Sequence, residues 1–79
     1  MKAQVYVKLK QAVLDPQGLA IHKSLHSLGY DGVSSVRQGK IFDIELDTDD
    51  QSAAEAMLKE ISDKLLANTV IEDFEVKIL

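Results

Sequence analysis

The chain has 79 residues, no cysteine, a formal net charge of −4 and a hydrophobic content of 46%. A chain this short makes one domain, residues 1–79, and buries too little apolar surface to have much stability in reserve, so self-association or a complex is expected. The composition excludes a disulfide framework and a thiolate metal site. The acidic balance argues against nucleic-acid backbones as partners. No apolar run is long enough for a transmembrane helix, and Met1-Lys2-Ala3-Gln4 leads into a strand instead of a signal peptide, so a cytoplasmic protein is expected.

Ala3, Val5, Val7 and Leu9 alternate with Gln4, Tyr6, Lys8 and Lys10, which is the period of a strand with one buried face. Asp15 then reads as a helix N-cap and Pro16 as the first helical residue, with Leu14 and Leu19 placed as a hydrophobic staple. Apolar residues 21, 25 and 28 give that helix a face, and Gly29 is placed to close it in the left-handed conformation. Gly18 shares the face, where its bare backbone would let helix and sheet approach closely. Val33–Gln38 reads as a short, polar second strand, with Gly39-Lys40 as a tight turn into Ile41–Asp47. Thr48-Asp49-Asp50-Gln51 reads as a capping box for a second helix with Ala54, Met57, Leu58, Ile61 and Leu65 as its stripe, ending near Asn68. Phe74, Val76 and Ile78 alternate with Asp73, Glu75 and Lys77 in a last strand. The order β-α-β-β-α-β predicts an α+β, two-layer, ferredoxin-like domain: a mainly antiparallel sheet with two helices on one face. Its second strand is the weakest, open to incomplete pairing or to exchange between subunits.

Catalytic chemistry is hard to assemble from this chain. His22 and His26 have the spacing of two ligands on one metal, but a third ligand would have to come from elsewhere, so they are read as solvated and no metal site is assigned. Asp43, Glu45, Asp47, Asp49 and Asp50 are the polar side of a strand and the first turn of a helix, hence a solvated or docking face. Gly29, Gly32 and Gly39 lack the spacing of a phosphate-binding loop. Ser34, Ser35 and Ser52 have no nucleophile-elbow motif and no paired histidine. No catalytic or cofactor-binding residue is assigned. Lys8, Lys10, Arg37 and Lys40, near the sheet and hairpin, suit docking to an acidic partner surface.

The blocks Val7-x-Leu9-Lys10-x-x-Val13-Leu14-Asp15-Pro16-Gln17-Gly18, Leu28-Gly29-Tyr30-Asp31-Gly32-Val33, Val36-Arg37-Gln38-Gly39-Lys40 and Leu65-Leu66-Ala67-Asn68-Thr69-Val70-Ile71-Glu72-Asp73-Phe74 resemble, in order and over nearly the whole chain, the PurS family. These are the small subunits of phosphoribosylformylglycinamidine synthase. Thr69 stands where the family usually has Pro, and Phe74 where it usually has Tyr. The resemblance implies a non-catalytic subunit that bridges a PurL-type synthetase and a PurQ-type glutaminase in purine biosynthesis, supporting transfer of ammonia from glutamine. It implies self-association as a dimer or tetramer. ATP, Mg and glutamine would be used by the complex, with no cofactor bound by this chain. The expected partner contacts are Tyr6, Lys8 and Lys10 on the open sheet face, Gln17 at the helix start, and Arg37 and Lys40 at the hairpin. Asp15, Pro16 and Gly18 are expected to act through the fold. The same element order also suits a small-molecule-binding regulatory domain of the ACT type, supported by fold analogy alone. An acylphosphatase-like enzyme is disfavoured because that family's glycine-rich loop with its arginine is not found.

Overall fold

In a computed structural model that describes residues 1–79, the apolar alternation builds the sheet. Strand β1 (Lys2–Leu9) lies between β2 (Gly39–Glu45) and β3 (Glu72–Ile78), and both pairings are antiparallel. The register sets the apolar residues of β1 into rows across the strands, with one charged residue, Lys40, at the edge. Ile44, Ala3 and Ile78 form one row, Phe42, Val5 and Val76 the next, and Lys40, Val7 and Phe74 a third. Ala3, Val5 and Val7 are buried, so the core lies against this face. The opposite face carries Asp43, Gln4 and Lys77, then Ile41, Tyr6 and Glu75, with oppositely charged residues spread across the strands.

Helix α2 (Gln51–Ile61) covers the apolar face with Ala54 and Leu58, both fully buried, and Ile61 packs against the same cluster. It runs into a π turn at Ser62–Leu66, where the Ala67 N–H donates to the Ser62 carbonyl at 2.9 Å, and this wider turn delivers Ala67 to the core. Helix α1 (Pro16–Ser27) begins and ends as the sequence predicts. Asp15 Oδ1 accepts from the Gly18 N–H at 2.9 Å. At the other end Gly29 has φ +94, and the Gly29 and Tyr30 N–H groups donate to the His26 and Leu25 carbonyls at 3.0 and 2.9 Å, a Schellman closure.

The α+β, ferredoxin-like class holds, with departures in detail. Val33–Gln38 is not a strand in this chain. Its polar sequence has little to bury, and its ends are bound elsewhere: the Val33 carbonyl lies 2.8 Å from His22 Nε2, and the Gln38 N–H donates to Asp15 Oδ2 at 2.6 Å. The expected hairpin is therefore absent, and the outer edge of β2 is unpaired. Helix α1 does not form a second covering helix. Only Gly18 of that helix is buried, and Leu28 is 72% exposed. The molecule measures 49 × 25 × 14 Å with a radius of gyration of 16.0 Å, against about 12 Å for a compact domain of this length. Gly18 allows a close approach, but to the 33–38 segment instead of the sheet: a Cβ there would lie 2.3 Å from the Val36 carbonyl oxygen. The second helix is capped by Asp50, whose Oδ1 accepts from the Ala53 N–H at 3.2 Å, while Thr48 Oγ1 accepts from the Asp50 N–H. The predicted capping box is thus shifted by two residues, because a carboxylate one residue before the helix reaches the third amide directly.

Candidate partner-docking surface

The sheet face that no helix covers is ordered by its own side chains. Strand alternation aims Gln4, Tyr6 and Lys8 outward, and the register sets Asp43 and Lys77 on either side of Gln4. Gln4 Nε2 donates to Asp43 Oδ1 at 2.9 Å, and the Tyr6 hydroxyl donates to Gln4 Oε1 at 2.8 Å. The Lys77 ammonium sits 5.4 Å from the centre of the Tyr6 ring, within cation–π range. Tyr6 and Lys8 form a ridge between two shallow grooves. One, of about 270 Å³, includes Asp73, Phe74 and Glu75, and the other, of about 220 Å³, includes Gly39, Lys40 and Ile41. An amphipathic ring held by neighbours loses little entropy when it docks.

Lys10 follows the end of β1 and forms an ion pair with Asp73 at 3.1 Å. Arg37 reaches back across the chain to the same residue, its Nη2 donating to the Lys10 carbonyl at 3.0 Å. Gln17 belongs to another place, a cleft of about 370 Å³ that also contains Val7, Leu9, Asp15, Gln38 and Glu72, and Lys40 borders both this cleft and the open-face groove. In the cleft Lys40 pairs with the largely buried Glu72 at 3.7 Å. Of the six expected contact residues, Tyr6, Lys8, Lys10 and Arg37 thus lie on the open face and its adjoining end, Gln17 in the cleft behind β1, and Lys40 between the two.

Asp15 organises that cleft and was read from sequence only as a cap. It is 5% exposed, and its two carboxylate oxygens serve different segments, Gly18 of α1 and Gln38 before β2. The Gln38 and Gly18 N–H groups hold its carboxyl below the ordinary value of 3.8. Burial opposes them, while the Arg37 charge and the Gln17 N–H lower it further. The cap was legible, but the bond to Gln38 was not. The apolar residues that α1 leaves outside, Leu14, Leu19, Ile21 and Leu28, were assigned to a core or staple and are exposed here. Leu14 and Leu19 line a groove of about 280 Å³ with Ser34, Ser35 and Val36. His22 lines the same groove, and its Nε2 is engaged by the Val33 carbonyl.

The two departures from the PurS pattern have local explanations. Thr69 occupies an exposed turn fastened by its neighbours: Asn68 Oδ1 accepts from the Val70 N–H at 3.2 Å, and Glu72 Oε1 accepts from the Asn68 N–H at 2.7 Å. These bonds fix the turn without the rigidity of a proline. Phe74 packs its ring against the core cluster, which needs no hydroxyl.

Comparison with known proteins is consistent along the whole chain. The family model PurS, phosphoribosylformylglycinamidine (FGAM) synthase, matches residues 2–79. The chain is 46% identical over 77 residues to the phosphoribosylformylglycinamidine synthase subunit PurS of Bacillus subtilis, covering 98% of this chain and 90% of the relative. Its structure is similar to that of Methanocaldococcus jannaschii PurS, described as one of the subunits of formylglycinamide ribonucleotide amidotransferase in the purine biosynthetic pathway. The TM-score is 0.88 at 39% identity, over 96% of this chain and 92% of the other. A chain in the PurLQS structure from Thermotoga maritima matches with a TM-score of 0.90 at 29% identity, over 99% of this chain and 95% of that one. The ACT-type alternative is not favoured by these matches. The chain belongs to the PurS family and is a PurS subunit of FGAM synthase, in purine biosynthesis.

Proposed function

We propose that this chain is the non-catalytic adaptor of its FGAM synthase, joining a PurL-type synthetase to a PurQ-type glutaminase so that ammonia released from glutamine reaches the synthetase. The observation that carries this reading is the match over 99% of the chain to a chain in the Thermotoga maritima PurLQS structure. Ammonia is a small diffusible intermediate, so holding two active sites together contributes more than an added functional group would. ATP, Mg and glutamine are then used by the partner subunits, in the cytoplasm. Tyr6, Lys8 and Lys10 make the contact on the open sheet face. Arg37 steadies its edge, and Gln17 and Lys40 form a second contact at the cleft. The chain also associates with itself as a dimer or tetramer, in which the exposed apolar residues of α1 and the unpaired edge of β2 are covered.

Synthesis of FGAM by purified synthetase and glutaminase subunits, with and without this chain, tests the adaptor role. The chain should be needed with glutamine as nitrogen source and much less with ammonium. Lys8→Glu should lower the glutamine-dependent rate and leave the ammonium-dependent rate unchanged. Equal rates with and without the chain on both nitrogen sources would exclude the role.

A further inference from the structure

Helix α1 and the segment after it bring three electron-pair donors to one point. His22 Nε2 and His26 Nε2 are 3.1 Å apart, and the Val33 carbonyl oxygen lies 2.8 Å from the first and 3.3 Å from the second. The spacing of four residues puts both rings over the same helix face, where they meet edge to face with centres 4.7 Å apart. The Schellman closure at Gly29 turns the chain back, so that residues 31–33 return across this face. That return also brings the Asp31 carboxylate to 3.4 Å from His26 Nδ1. A carboxylate at Nδ1 keeps the proton on that nitrogen and leaves Nε2 as a lone pair. In a neutral pair, the single N–H of His22 Nε2 must then serve both the Val33 carbonyl and the His26 lone pair.

We propose that His22 Nε2, His26 Nε2 and the Val33 carbonyl form a site for one divalent transition-metal ion of the zinc class, completed by water. With metal–ligand bonds of about 2.0–2.1 Å, the edge of a tetrahedral site is about 3.3 Å. The 3.1 and 3.3 Å separations match that edge within about 0.2 Å, and the His22–Val33 separation of 2.8 Å, a hydrogen-bond distance without the ion, would open by about half an ångström on binding. The Asp31–His26 contact is the outer-shell carboxylate that metal-bound imidazoles ordinarily have. No third His, Cys, Asp or Glu side chain is placed to join the two histidines as a ligand, so the third donor is the backbone carbonyl. Spacing alone gave two solvated histidines and no metal; the chain reversal at Gly29 supplies the missing oxygen and carboxylate. An ion here pins the 31–36 segment to α1. The inference does not depend on the adaptor role.

Zinc chloride titrated into the untagged full chain, followed by calorimetry and by the ring ¹⁵N resonances of the two histidines, tests the site. One ion should bind per chain and shift both Nε2 resonances. Asp31→Asn should weaken affinity about 10- to 100-fold, and His22→Ala and His26→Ala should each abolish saturable binding. Alanine keeps the helix at these partly or fully exposed positions, and circular dichroism of each variant verifies that. Failure to saturate at millimolar zinc, unchanged affinity in either histidine variant, or one ion per two chains would overturn the proposal.

Discussion

The two helices of this chain are held by different forces. Helix α2 lies on the sheet through Ala54, Leu58 and Ile61, and its stability is tied to the same apolar cluster as β1. Helix α1 buries only Gly18 and is fastened by polar groups, Asp15 to Gly18 and Gln38 and the histidine pair to Val33, while Arg37 ties the following segment to the Lys10 carbonyl. Burial removes water from a large area and joins everything it touches into one cooperative unit. A few hydrogen bonds to a half-exposed segment open locally at lower free energy. The sheet with α2 therefore behaves as the scaffold, and α1 as an arm whose apolar face is still available to another surface.

The sharpest contrast comes from Leu58→Ala. Leu58 is fully buried against Val5 and Val7, and truncating it should cost about 2–5 kcal/mol. Chemical denaturation should show the midpoint falling for the whole chain, because sheet and α2 unfold together. A loss confined to α2 amides, with the sheet unaffected, would show that the scaffold is not one unit.

Gly18→Ala attacks the arm. The added Cβ would meet the Val36 carbonyl oxygen at 2.3 Å and Asp15 Oδ2 at 2.7 Å, so the 33–38 segment must move or the cap must open. The expected cost is about 1–3 kcal/mol. Hydrogen exchange should report it as faster exchange of the Gly18 and Gln38 amides, with the β1 amides nearly unchanged. Uniform acceleration through the sheet would mean that the arm is coupled to the core after all.

Acid should loosen the same contact more gently. The Asp15 carboxyl titrates below its ordinary value because it accepts the Gln38 and Gly18 N–H groups. A lowered folded-state value means that the unfolded chain binds the proton first. The stabilisation is therefore complete above the ordinary carboxylate range and is lost as pH falls through the lowered value. Exchange at Gln38 should rise over that acidic window, and Asp15→Asn should remove the dependence. A wild-type Gln38 amide whose protection is flat across the window would detach the pH effect from Asp15.

How much of this was legible in the sequence follows the same division. Period-two alternation in β1 identified Ala3, Val5 and Val7, since burial on one face imposes that pattern directly. The Asp15 cap and the left-handed Gly29 were legible because each is a local rule. The loss of the strand at 33–38 was not, because Gln38 is bonded to a carboxylate 23 residues earlier and no local rule anticipates such a partner. Thr48 and Asp50 are both good capping residues, so the choice between them rests on backbone geometry. Alternation in β1 also assigned Tyr6, Lys8 and Lys10 to the open sheet face, while Gln17, Arg37 and Lys40 were placed only by their neighbours in sequence. That Gln17 and Lys40 meet Asp15 and Glu72 in a cleft behind β1 depends on tertiary contacts that no local rule supplies.

The smallest effect probes the join between α2 and the π turn that follows it. Ser62 starts the π turn, is fully buried, and its hydroxyl is the buried side-chain polar atom without a hydrogen-bond partner. Burying an unpaired hydroxyl is unfavourable, so Ser62→Ala removes a penalty and very little volume. Thermal unfolding should show the variant unchanged or slightly more stable, by about 1 kcal/mol at most. Clear destabilisation would mean that the hydroxyl has a partner, and the carbonyl groups freed by the wider turn are where to look for it. A scaffold that accepts this change while α1 fails at Gly18 separates tolerance set by packing from tolerance set by backbone approach.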